Sequence, residues 1–274
     1  RFMNKDFSVN AKPEFCIIAP NAYLEYATQS PKHLVLAHLV DKNEQYASFY
    51  FDRSTAGDGI IMDNGAFELG QSYEPAKLLE LGQKCGADVI VLPDYPFMQS
   101  HVTIEAAEQY AHVFKDEGFK TMFVPQSCVG DFDDFVYAYM WAADNNDIDL
   151  LGMSILNIPN ALPNIPAAYA RVVMTEILMD RGVFAEKYHH YLGLNAGPAL
   201  ELPALIKTKA LNSCDSSGPV WAAILGHEYT RNADSYLMAK KIKAHVDFDY
   251  PVSKDVETHR RIQHNLDLTW ELFR

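Results

Sequence analysis

Apolar residues in this chain gather in short unbroken runs rather than in alternation. "FCIIAP" (15–20), "GIIMDNG" (59–65), "ADVIVLPDYP" (87–96), "KTMFVPQS" (120–127), "DLLGMSIL" (149–156), "YHHYLGLN" (188–195) and "LNSCD" (211–215) each read as a strand. Runs without a polar side belong to strands covered on both faces. Between them, apolar positions recur three and four apart. "YEPAKLLELGQKCG" predicts a helix with Pro75 in its first turn and Gly86 at its end, and "HVTIEAAEQYAHVFKDEG" a helix closed by Gly118. "DFDDFVYAYMWAADN" predicts a helix opened by acids that suit its dipole. "AAYARVVMTEILMDRG" and "ALELPALIKTKA" complete the set, while "HLVLAHLV" and "YASFYFD" read as a hairpin-like excursion. The aromatic run "YASFYF" is expected to be a buried strand, with base stacking as its alternative. About seven strand–helix alternations imply parallel α/β, and the count favours a closed TIM-type (β/α)8 barrel.

Composition narrows this further. The chain has 274 residues, 49% of them hydrophobic, which suits one barrel domain spanning 1–274 with a helical C-terminal part from about 220. No apolar run approaches the roughly 20 residues of a membrane span. No basic-then-apolar start reads as a secretion signal. A cytoplasmic protein without membrane contact is expected, and homo-oligomers remain open. Cys16, Cys85, Cys128 and Cys214 lie far apart, so neither a disulfide framework nor a zinc ribbon is expected. His189, His190, His227 and His259 are too dispersed for a metal site and read as structural or phosphate-facing.

Net charge is −13, which argues against tight non-specific nucleic-acid binding. From Val220 onward, however, eight basic residues balance eight acidic ones, so the first 219 residues carry the deficit. A local basic face involving Lys207, Lys209, Arg231, Lys240, Lys241 and Lys243 is one reading, and a solvated amphipathic helix the other.

Barrel enzymes hold their chemistry at the C-terminal ends of the strands. Asp63, Asp94, Gln126 and Asp215 fall at such ends, with Gly152 and Ser154 on the run between the last two. Any one of the carboxylates could instead cap a helix. Gly65 and Gly152 remove side chains where a flat ligand could approach the backbone. Tyr95 and nearby methionines could flank it, or simply pack in the core.

This constellation resembles the tRNA-guanine transglycosylase family, and more closely its phage and bacterial relatives, the DNA 7-deazaguanine transglycosylases. "MDNGAF", "LPDYP", "VPQS", "DLLGMS" and "HYLGLN" followed by "CDSS" carry the resemblance, in order, over half the chain. Asn64 and Ala66 depart from the family's Ser and second Gly, and no cysteine follows Cys214 to build the zinc site of the tRNA-acting members. The resemblance implies guanine exchange in DNA for preQ0 or a related free 7-deazaguanine base, without a cofactor or metal. It implies Asp215 as the nucleophile at C1′ and Asp63 as the general acid and base. Asp94, Gln126 and the Gly152 backbone would read the guanine edge, with Tyr95, Asn64 and Gly65 around them. A tRNA transglycosylase, a sugar-phosphate barrel enzyme using "SSGP", and a non-catalytic base-binding subunit are the alternatives.

Overall fold

Eight short apolar segments become strands because each is sealed on both faces. The computed structural model describes residues 5–194, 198–231 and 245–274. The strands are β1 (Glu14–Ile17), β2 (Lys32–Val35), β3 (Gly59–Met62), β4 (Val89–Val91), β5 (Lys120–Phe123), β6 (Leu150–Ser154), β7 (Tyr188–Leu192) and β8 (Ser213–Ser216). All pair in parallel, in the order β1-β8-β7-β6-β5-β4-β3-β2. The two ends of that order meet at a seam between β1 and β2, where the Ser30 hydroxyl lies against the carbonyls of Phe15 and Lys32 at 2.5 and 2.8 Å. The result is a nearly closed TIM-type barrel, as the alternation of runs predicts.

The helices follow the strands: α1 (Ala37–Lys42), α2 (Glu44–Thr55), α3 (Ala66–Leu69), α4 (Pro75–Cys85), α5 (Ser100–Asp116), α6 (Phe132–Asp144), α7 (Asn157–Ala161), α8 (Ala167–Asp180), α9 (Pro198–Lys207), α10 (Gly218–Ile224) and α11 (Val256–Glu271). Pro75 opens α4, and Gly86 ends it in the left-handed conformation. Asp131 caps α6 by accepting from Asp134 N.

The excursion at 32–55 departs from the expectation. "HLV" supplies β2, the eighth strand, and "YASFYF" is α2, neither a buried strand nor a stacking ribbon. Asn43 caps α2 by accepting from the N–H groups of Gln45 and Tyr46. Tyr46, Ala47 and Tyr50 are its buried residues, a spacing of one and four that belongs to a helix. Aromatic density masked that period.

The barrel floor is closed by Phe7 from the N-terminal arm and Tyr188 from β7. Between them the Lys32 ammonium lies 5.1 and 5.0 Å from the two ring centroids and donates to the Asp6 carbonyl at 2.6 Å. Higher in the barrel, a Cβ on Gly152 would stand 2.8 Å from Val124 Cγ2 and 3.0 Å from Leu192 Cδ1. Neighbouring side chains fill that space, so this glycine answers a packing need. At the far side, α10 and α11 are joined by Asn265, which donates to the carbonyls of Pro219 and His227 and accepts from Tyr229 N.

Gly152→Val should therefore overpack the barrel interior and cost roughly 1–3 kcal/mol. A lower urea midpoint with an unchanged m-value would show it.

Candidate active site

The parallel barrel delivers every strand to its C-terminal rim, and four acidic side chains meet there. β3 ends at Met62, and Asp63 follows with its Oδ1 accepting from Ala37 N at 2.6 Å. Gly65 then turns the chain in the left-handed conformation, φ +80°, where Tyr73 would crowd any Cβ at 3.0 Å. That turn starts α3 and carries Glu68 back to Asp63, with which it shares a hydrogen bond. Burial, reinforced by the Glu68 and Asp215 charges, pushes the Asp63 carboxyl well above the usual carboxylate range. Glu68 is raised too, by burial and by Asp215.

Asp94, just past β4, is held between two amides. Asn64 Nδ2 donates to its Oδ1 at 2.6 Å and to the Leu92 carbonyl at 2.8 Å. Gln126 Nε2 donates to its Oδ2. The Asn64 carbonyl is fixed in turn by Ala66 N at 2.9 Å, so its amide cannot flip without losing three bonds. Gln126 is fully buried, and its Oε1 has no hydrogen-bond partner among the described residues. Burial pushes Asp94 up to about 6 against the pull of both amide donors.

Asp215 lies within β8 and does not cap α10, whose N-cap is Ser217. Its Oδ1 accepts from His190 Nε2 and from Gly193 N, both at 3.0 Å. With Nε2–H donating, His190 Nδ1 accepts from the Ser213 hydroxyl at 2.6 Å. Oδ2 of Asp215 accepts no hydrogen bond from the described residues. The Gly193 loop is held from behind by Arg171, fully buried. Arg171 donates to the carbonyls of Met153, Leu192 and Gly193 at 3.0, 2.9 and 2.7 Å, and to both carboxylate oxygens of Glu201.

The structure thus brings together Asp63, Asn64, Gly65, Asp94, Gln126 and Asp215. Tyr95 is 42% exposed beside them, its N–H bound to Thr103 Oγ1, and Met153 is core. Lys207 and Lys209 sit on the turn from α9 into β8, at the floor of the barrel, because αβ turns in a parallel barrel lie opposite the βα loops. That puts them at the opposite end of the barrel from Asp63 and Asp215. Arg231 is engaged by Glu271, at 2.9 and 3.1 Å. Lys240, Lys241, Lys243 and Asn195 lie outside the described residues.

Sequence reasoning missed Glu68 and Arg171, and it read His190 as structural or phosphate-facing rather than as the partner of Asp215. Strand alternation offered a signal for His190: of the adjacent pair, His189 packs outward on Phe184 and Tyr139, so His190 faces the interior in register with Ser213. His189 is held down to about 4 by burial and is structural. His259 bonds Tyr26 and the Ser253 carbonyl, also a structural role.

No protein-family model matches the chain, and no curated protein matches it by sequence. Among the described residues no helix is long and apolar enough to cross a membrane, and no group of three or more His, Cys, Asp or Glu could hold a metal ion. The class that fold and site define is an α/β barrel with a cluster of buried acids at its C-terminal rim.

Asp94 gives a pH signature. Its folded-state value of about 6 exceeds the ordinary 3.8, so its proton is held more tightly by the fold than by the unfolded chain. The stability it contributes is intact below about pH 4 and is lost as pH rises through about 6. Asp94→Asn cannot titrate and should flatten that slope, by roughly 2–3 kcal/mol in urea titrations compared at both ends of the window.

Proposed function

We propose that the chain is a DNA-guanine transglycosylase that exchanges a guanine base for preQ0 or a related 7-deazaguanine. One observation carries the reading: Asp63, whose buried carboxyl is pushed toward its protonated form, shares a rim with Asp215, which has one oxygen tied and one without a hydrogen bond from the described residues. Two carboxyls with separate roles are what displacement at a sugar C1′ requires, because the transition state is oxocarbenium-like. The motif order along the barrel supports the assignment to guanine.

In the first half-reaction Asp215 Oδ2 bonds to C1′ as the C1′–N9 bond breaks. The electron pair goes to N9, which takes the Asp63 proton. In the second, N9–H of the incoming base returns its proton to Asp63. N9 then bonds to C1′ and the ester bond to Asp215 breaks. Two inversions retain the β configuration.

His190 and Gly193 N keep Asp215 pointed at the sugar. Asp94 accepts from the N1–H and exocyclic amine of the base. Gln126 turns its Nε2 from Asp94 to the base O6, a rearrangement the unpartnered Oε1 makes less costly. A base lacking these groups leaves buried polar atoms unpaired and is rejected. The target nucleotide must leave its helix to enter, at roughly a few kcal/mol.

Asp215→Asn should abolish exchange of labelled guanine into duplex DNA, and with it the covalent protein–DNA adduct that accumulates when free base is withheld. Asp63→Asn should slow both half-reactions by ~10²–10⁴-fold. Incorporation into tRNA but not DNA would reassign the polymer, and a fully active, adduct-free Asp215→Asn variant would end the reading.

A further inference from the structure

Glu68 has no part in the steps just described, yet it is buried against the group that moves the proton. Its Oε2 is sealed from solvent and reached by no N–H or hydroxyl among the described residues. The nearest basic atom is His38 Nδ1, 3.9 Å away, itself buried and without a hydrogen-bond partner. Half-burial and the Lys42 charge hold the His38 imidazole down, which disfavours its cationic form. The Glu68 backbone N–H is the one donor to the rest of this carboxyl, and no Lys or Arg of the described residues pairs with it, so Oε2 lacks what usually stabilises a buried carboxylate. It does have the Asp63 carboxyl beside it. Two carboxyl groups can hydrogen-bond only if one carries a proton.

We propose that Glu68 is a positioning residue for Asp63: its carboxylate accepts the Asp63 hydroxyl and keeps the transferable proton on Asp63 until the first base departs. The proposal rests on Asp63 being the general acid.

Every element packed around Asp63 is consistent with it. α1 offers the Ala37 N–H as a donor to Oδ1, which leaves Oδ2 the better placed oxygen to bear a proton. α2 brings Tyr46 and α4 brings Cys85, whose phenol and thiol are both pushed up by burial and stay neutral. Tyr73, on the turn after α3, donates its hydroxyl to Asp41 at 3.1 Å and has its value pushed up to about 12. β8 brings Asp215, a second like charge. No Lys or Arg of the described residues pairs with Asp63 or Glu68.

The charge balance also fits the chemistry. Before attack, the negative charges are on Asp215 and Glu68, and Asp63 holds the proton. After it, Asp215 is a neutral ester, the proton is on the departing base, and Asp63 carries the charge that Asp215 lost. Total charge at the rim is unchanged. Glu68, still ionised, then makes Asp63 a strong base for the N9–H of the incoming ring.

Glu68→Gln tests this. It keeps the length of the side chain but replaces a charged acceptor with a neutral amide that can donate to Asp63. Infrared spectra of protein labelled with ¹³C in the Asp carboxyls should show the carbonyl stretch of a protonated carboxyl near neutral pH. Asp63→Asn should remove that band. In Glu68→Gln it should vanish near neutral pH and return only on acidification, with the circular dichroism spectrum unchanged. Glu68→Ala is the second variant should the amide disturb the fold, and its band should move the same way.

In the exchange assay, Glu68→Gln should move the alkaline limb of the pH–rate profile down by at least about 1 pH unit, and activity should recover at lower pH. A merely structural role would lower the rate equally at all pH values. A band near neutral pH that ignores Glu68 overturns the proposal even if exchange proceeds. A band that responds as stated in a protein that exchanges no guanine upholds the proton-sharing pair and overturns the reaction assigned to it.

Discussion

Arg171 Nη1 donates to the Leu192 carbonyl while the N–H of the same peptide unit, Gly193 N, donates to Asp215 Oδ1. A trans peptide points these two groups in opposite directions, so fixing the carbonyl fixes the donor. The guanidinium is sealed from solvent, and its charge is tolerable only because Glu201 faces it from α9 and three carbonyls take its remaining protons. Those carbonyls belong to the ends of β6 and β7, so one side chain of α8 sets where two strands stop. Breaking such a pair typically costs about 3–5 kcal/mol, because the surviving charge stays buried. The orientation of Asp215 is thus a property of the barrel wall rather than of its own loop.

A second constraint acts from within the pocket. Asp63, Glu68, Asp94 and Asp215 share one rim, and among the described residues no Lys or Arg pairs with any of them. Like charges in a place of low dielectric constant relieve themselves by holding protons. Each acid finds a different accommodation. Asp63 leans on Glu68, Asp94 on two amides, and Asp215 on a histidine and a peptide N–H. Four groups of nearly identical chemistry are separated into distinct roles by their neighbours alone.

The sequence made the barrel legible because buried parallel strands announce themselves as unbroken apolar runs, and because Pro75 and Gly86 punctuate a helix in the usual way. It hid β2 and α2, where Tyr46, Phe49, Tyr50 and Phe51 are so dense that two periods fit the same letters. The rim residues Asp63, Asp94, Gln126 and Asp215 were legible from their place after each run. Arg171 and Glu201 were not: they lie 30 positions apart in the chain, on separate helices, and only the packing of α8 on α9 makes them neighbours. Glu68 was hidden for another reason. Its approach to Asp63 depends on the left-handed turn at Gly65, a conformation that the presence of a glycine permits but does not demand.

The amides around Asp94 have a consequence for affinity. Asn64 and Gln126 both donate to this carboxylate, so it is satisfied by side chains of the protein itself. Entry of a ligand is then a substitution, in which two internal bonds are exchanged for external ones of similar strength. The net gain in binding is small while the penalty for a poor match stays large, since a ligand that opens the network without completing it strands a buried carboxylate. A site arranged in this way trades tightness for discrimination.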